Sequence, residues 1–158
     1  MIKLNKILPT ARKFEARLKR MKETNRVSIA GSIRRKKETV KDIDLLASSK
    51  TPEVVIQKFL KFKEIKKVLA SGNTKASVII SNPKIQIDLR VVKDNSYGAA
   101  LQYFTGPKIF NIQNRVLAKN KGMKLNEYGL FNRETGKKLA GKHEKDIFKK
   151  LGLPYKQY

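Results

Sequence analysis

"AGSIRRKKETVKDIDLL", residues 30–46, sets a Gly31-Ser32 pair nine residues ahead of the triplet Asp42-Ile43-Asp44. The chain has 37 lysines and arginines against 13 aspartates and glutamates, so two acids flanking one isoleucine call for a reason. Polar Asp42 and Asp44 alternate with apolar Ile43 and Leu45, which predicts a strand with both carboxylates on one face. Their Cα atoms then lie about 6.6 Å apart, from a rise of ~3.3 Å per residue. Two ionised carboxylates drawn to ~5 Å repel by roughly 3 kcal/mol at an effective dielectric of ~20. A divalent cation turns that repulsion into attraction.

A third acid, Asp88, lies in the apolar run "IQIDLRVV", residues 85–92. If the two strands are neighbours, three carboxylates converge. Hard oxygen donors without histidine or cysteine suit Mg²⁺ or Mn²⁺. Two such ions about 3.5–4 Å apart serve phosphoryl transfer by activating the attacking oxygen and holding the leaving phosphates. An isolated Asp-x-Asp is also at home on a solvated strand end among lysines. The upstream residues bear on the choice. Gly31 lets backbone approach a ligand closely, and Ser32, at the start of a short predicted helix, offers an N–H and a hydroxyl to a phosphate. Arg34 and Arg35 add planar cationic forks that match phosphate oxygens.

The bulk numbers point the same way. A length of 158 residues suits one domain, or a domain with a small appendage. An apolar content of 40% with seven Phe and five Tyr predicts a folded chain. The net charge of +24 opposes compaction by self-repulsion and implies a polyanionic partner, nucleic acid ahead of a membrane surface. No run approaches the ~20 apolar residues of a membrane span, and the start, "MIKLNKILPTARKF", lacks a signal peptide's apolar core. The expectation is a soluble, intracellular protein of cytoplasm, nucleoid or virion, not a secreted one. Zero cysteines exclude disulfides and thiolate metal sites.

Along the chain, Leu8, Phe14, Leu18 and Met21 predict a basic amphipathic helix over residues 8–22. "RVSIAG" reads as a short strand ending at Gly31. "TPEVVIQKFLKF" reads as a helix with Thr51 as cap and Pro52 at its first position. Strands follow at "ASVIIS" and "IQIDLRVV", joined by Asn82-Pro83. From Tyr97 the texture turns helical: "YGAALQYF", a break at Thr105-Gly106-Pro107, and a helix from Lys108 to about Lys121. A short hairpin, "LNEYGLF...KKLA", and a last helix near "EKDIFKKLG" complete the chain. A soft boundary near residue 100 separates a mixed α/β part from a helical one. Basic residues exceed acidic by 24 minus 9, or 15, before it and by 13 minus 4, or 9, after it.

The ordered set of Gly31-Ser32, Asp42-x-Asp44 and a later Asp88 resembles the nucleotidyltransferase signature of the polymerase beta superfamily. "YFTGPKIFNIQNRVLAKNKGMKLNEYGLF" narrows the resemblance to the family X DNA polymerases, through its Tyr-Phe-Thr-Gly segment, the helix after it and the Asn-Glu-Tyr hairpin. The similarity runs from about residue 27 to the C-terminus. It implies an α+β fold: a nucleotidyltransferase palm with a mixed sheet and flanking helices over residues 1–101, then a small helical thumb-type domain with a β-hairpin over 102–158 that closes on the nascent base pair. It implies a DNA-directed DNA polymerase adding dNTPs to a primer 3′-hydroxyl in gapped, nicked or recessed DNA, in repair. Asp42, Asp44 and Asp88 are then catalytic and metal-binding for two Mg²⁺ (or Mn²⁺), with Asp88 accepting the primer hydroxyl proton.

By the same resemblance Gly31, Ser32 and Arg35 hold the nucleotide phosphates, and Tyr103, Phe104 and Gly106 line the sugar pocket. Asn111 faces the incoming base, and Arg90, Lys108, Arg115, Lys119 and Tyr128 contact DNA. The partners implied are a DNA primer–template and a dNTP, bound by a monomer. A helical wheel adds that Lys108, Asn111, Arg115 and Lys119 fall within about 80° of one another, opposite Phe110 and Leu117; such a stripe is also what any solvated face shows. A cis bond is expected at Gly106-Pro107. Departures from the family pattern are Gln86, where many members have arginine, and Val40-Lys41 in place of a Ser-Gly pair. The length leaves no room for the family's N-terminal lyase domain, so lyase activity is not expected. The rival readings are a template-independent nucleotidyltransferase and a noncatalytic basic DNA-binding module.

Overall fold

A computed structural model describes residues 1–158, and they divide into two compact units, Met1–Asp94 and Asn95–Tyr158. In chain order the first unit runs β1 (Ile2–Lys3), α1 (Leu4–Lys19), β2 (Thr24–Ile29), α2 (Gly31–Arg34), β3 (Thr39–Val40), β4 (Asp42–Ser49), α3 (Pro52–Leu60), β5 (Ile65–Ser71), β6 (Lys75–Ile80) and β7 (Ile85–Val92). Five strands form one sheet in the order β2-β4-β7-β6-β5. Only β4 and β7 run parallel.

Strict alternation explains how this sheet gets its two unlike faces. Ile43, Leu45 and Ala47 of β4 and Ile85, Ile87, Leu89 and Val91 of β7 are buried with Val78 of β6. Onto them pack Ile7, Ala11, Phe14 and Leu18 of α1 and Val55, Ile56 and Phe59 of α3. Phe14, Phe59 and Phe62 form an aromatic knot with centroids 5.5–6.4 Å apart. With helices on that face, the residues between, Asp42, Asp44, Gln86, Asp88 and Arg90, point to the other. Thr51 occupies the N-cap position of α3 as expected, but its side chain makes no capping bond; its carbonyl takes the Val54 N–H instead, at 3.1 Å.

The second unit comprises α4 (Tyr97–Thr105), α5 (Lys108–Asn120), β8 (Met123–Asn126), β9 (Gly129–Asn132), β10 (Lys138–Ala140) and α6 (Glu144–Leu151). The three strands form an antiparallel sheet rather than a simple hairpin, in the order β10-β9-β8. Ala99, Ala118, Leu125, Leu130, Ile147 and Leu151 make its core. Gly106–Pro107 is cis, as expected, and so is Asn82–Pro83. The whole is the α+β class read from the sequence. No helix is long and apolar enough to cross a membrane.

Candidate active site

The parallel register of β4 and β7 sets Asp44 directly beside Asp88 and Asp42 beside Gln86. Paired residues of neighbouring strands share a face, so one sheet surface carries all three aspartates. Each is half-buried. Their fields overlap: burial, then the charge of Asp88, raises the Asp42 carboxyl above its usual range. Asp44 is pushed up to about 7, first by burial and then by the charges of Asp42 and Asp88, against the opposing pull of Arg35. Gln86 Nε2 donates to Asp88 Oδ1 at 2.9 Å and so fixes one of that residue's oxygens.

No group of three acids is arranged as a ready-made cage for an ion. The donor set nevertheless fits hard divalent cations: three oxygen-only side chains on adjacent strands, whose mutual repulsion a cation relieves.

The Gly31-Ser32 turn is built against this surface. The Ala30 N–H donates to the Asp44 carbonyl at 2.8 Å, which ends β2 and starts α2 beside β4. Gly31 has φ +62°, and a Cβ placed on it would lie 2.0 Å from Asp44 Oδ2. Any side chain there would be strained and would push the Asp44 carboxylate aside, so glycine lets the turn close on the carboxylate. Ser32 is half-buried at the start of α2 and Arg35 caps its end, its positive charge reaching Asp44. Arg90 lies two residues beyond Asp88 on the same face, half-exposed.

In the second unit Tyr103 and Phe104 meet edge to face at 5.0 Å, at the end of α4 and ahead of Gly106, whose φ is +64°. Lys108, Arg115 and Lys119 are exposed along α5, and Tyr128 is exposed at the turn from β8 to β9. Asn111 departs from its polar stripe: it is buried, accepting a bond from Gln102 Nε2 at 2.9 Å and donating to the Tyr103 carbonyl at 2.7 Å. It therefore ties α5 to the end of α4. Sequence reasoning missed Gln102, a buried polar residue in an apolar helix. It also missed the exposed apolar ridge of Ile109, Ile112 and Val116 beside the α5 cations. Their i, i+3, i+7 spacing was the available signal.

A family model described as DNA polymerase beta thumb matches residues 100–158. The repair DNA polymerase X of African swine fever virus (isolate Tick/South Africa/Pretoriuskop Pr4/1996) is 33% identical over 133 residues, covering 80% of this chain and 75% of the viral protein. The chain belongs to the family X DNA polymerases. Among other family X relatives, the DNA polymerase/3′-5′ exonuclease PolX of Bacillus subtilis (strain 168) is 38% identical over 148 residues. That match takes in 93% of this chain but 26% of the bacterial protein, so the chain spans about a quarter of that relative's length. DNA polymerase lambda of Rattus norvegicus is 43% identical over 82 residues, 46% of this chain and 14% of the rat protein.

Proposed function

We propose that this family X chain is a DNA-directed DNA polymerase that extends a primer 3′-hydroxyl in gapped, nicked or recessed DNA. The observation that carries the reading is the side-by-side register of Asp44 and Asp88 with Gly31 closed against Asp44. In it, Asp42, Asp44 and Asp88 hold two divalent cations, Mg²⁺ or Mn²⁺. When bound, those cations supply charge neutralisation for the attacking oxygen and for the leaving phosphates.

The chain's own groups do the rest. Asp88 accepts the primer hydroxyl proton, and Gln86, bonded to its Oδ1, orients the carboxylate for it. The freed 3′-oxygen attacks the α-phosphorus in line, a new ester bond forms, the α–β bond breaks, and pyrophosphate carries away the electron pair. Gly31, Ser32 and Arg35 bind the β- and γ-phosphates, where the developing negative charge collects. Tyr103, Phe104 and Gly106 shape the sugar pocket. Asn111 keeps that segment in place through the Tyr103 carbonyl. Arg90, Lys108, Arg115, Lys119 and Tyr128 engage the DNA strands.

A primer-extension gel on blunt, recessed and gapped substrates, with Mg²⁺ or Mn²⁺ and one dNTP at a time, tests the reading. Addition of the complementary nucleotide alone is expected, and Asp42→Asn, Asp44→Asn or Asp88→Asn abolishes it while DNA binding persists. Normal extension by any of the three variants would sink the site. Addition of every dNTP alike would favour a template-independent transferase.

A further inference from the structure

We propose that the C-terminal part of the second unit carries a stacking site for one unpaired nucleobase, separate from the carboxylate site. A cavity of about 360 Å³ opens there, lined by Phe110, Phe148, Leu153, Pro154, Tyr155 and Lys156. Phe110 and Phe148 stack at 6.1 Å with 27° between their planes, and Tyr155 meets Phe148 edge-on at 5.5 Å and 80°. The Tyr155 hydroxyl donates to Glu144 Oε1 at 3.2 Å, which steadies the ring while 42% of the residue stays exposed. The site is thus a flat-walled apolar slot with one aromatic wall open to solvent.

Charge decides the occupant. Residues 147–158 contain three lysines and no acid. Lys149 and Lys150 are exposed on α6, and exposed Lys156 forms part of the cavity lining itself. The one acid bonded to a lining ring, Glu144, is buried behind Tyr155. An apolar peptide would gain nothing from these cations. A strand of DNA satisfies both features, base on the rings and phosphates along the lysines, as single-strand-binding surfaces do. No lining side chain other than Lys156 carries a polar group positioned to read base edges, so stacking here is tolerant of sequence. The inference extends the DNA-polymerase reading but does not depend on the chemistry of the carboxylates.

The test uses the full chain, a blunt DNA hairpin and the same hairpin with a short single-stranded overhang containing 2-aminopurine. Binding of the overhang quenches the fluorescence. Tyr155→Ala removes the quench and weakens overhang binding at least fivefold, leaving blunt-hairpin affinity unchanged, whereas Tyr155→Phe keeps both. Lys156→Glu, at an exposed position outside the core, weakens overhang binding and flattens its salt dependence even if Tyr155→Ala loosens the unit. Unchanged quench and affinity in Tyr155→Ala and Lys156→Glu overturn the proposal, as does equal weakening on both DNAs. A concentration-dependent molecular mass that Tyr155→Ala abolishes overturns it in favour of self-association. Failure of the wild type to extend a gapped primer bears on the polymerase reading alone.

Discussion

Asp44 shows how the site and the fold pull against each other. Its carboxyl titrates near 7 in the folded chain against 3.8 ordinarily. Between those values the folded state keeps a proton that the unfolded chain has released, so stability falls as pH rises through this window and the full penalty persists above it. Allowing for screening at a half-open site, that penalty is on the order of 2 kcal/mol. Asp44→Asn is therefore expected to abolish nucleotide addition yet raise the melting temperature by roughly 4–8 °C at pH 8, with no gain at pH 3, as thermal scans at the two pH values will read. Gly31→Ala loses stability as well as activity. Its Cβ would collide with Asp44 Oδ2, and φ +62° strains any side chain, so a loss of about 1–3 kcal/mol in stability and at least ~100-fold in kcat is expected. Denaturant titration and single-turnover extension measure the two. Both residues were legible in the sequence because glycine and paired acids carry their chemistry in their identity. Asn111 was legible only as polar: nothing in a helical wheel tells a solvent-facing amide from one whose partners, Gln102 and the Tyr103 carbonyl, lie on another helix.

At the scale of elements, burial pattern governs what the sequence reveals. β4 and β7 alternate apolar and polar residues because one face packs on α1 and α3, and they were read at once. β5 escaped: it is the sheet's edge, Lys66 through Ser71 are all exposed, and "IKKVLAS" carries no period. The ribbon of β1 with β3 escaped too, being two residues on each side, with Ile2 opposite Val40 and Lys3 opposite Thr39. That ribbon braces the loop between the Gly31-Ser32 turn and Asp42, helped by the Leu4 N–H donating to the Glu38 carbonyl at 2.9 Å. Leu4 opens α1 after an extended Lys3, where proline suits the helix but cannot donate. Leu4→Pro is expected to cost about 1 kcal/mol and to lower kcat several-fold with DNA affinity unchanged, measured by extension kinetics beside a binding titration.

A second brace joins α1 to the start of β5. Burial alone would raise the Glu64 carboxyl, but Arg17 at 2.7 Å and Lys13 at 3.1 Å outweigh it and hold the group at about 2, against 4.5 ordinarily. A depressed acid stabilises above its unfolded value and loses that contribution as pH falls through the folded one. Arg17→Leu should therefore lower stability at pH 7 and erase most of the difference from wild type by pH 2, as denaturant titrations across that range will report.

For the whole molecule the governing quantity is charge. Both units are strongly basic: residues 1–94 carry 24 cations and 9 acids, and residues 95–158 carry 13 and 4. Ion pairs form around Glu64, Glu15, Asp94 and Glu23, and with 13 acids for 37 cations most of the positive charge has no acid to pair with; exposed lysines run along α1, β5 and α5. An excess of this size weakens the folded state by self-repulsion, so DNA should stabilise the chain, and more so at low salt. If six to eight phosphates are neutralised, log K against log salt has a slope of about −5 to −7, and affinity falls by roughly three to four decades between 50 and 200 mM salt. Fluorescence anisotropy with a blunt duplex measures this. The slope should be the same for Asp44→Asn, because that substitution removes no lysine or arginine from the footprint. A slope near −1 would mean that the lysines serve solubility, and the basic surface would lose its role in holding DNA.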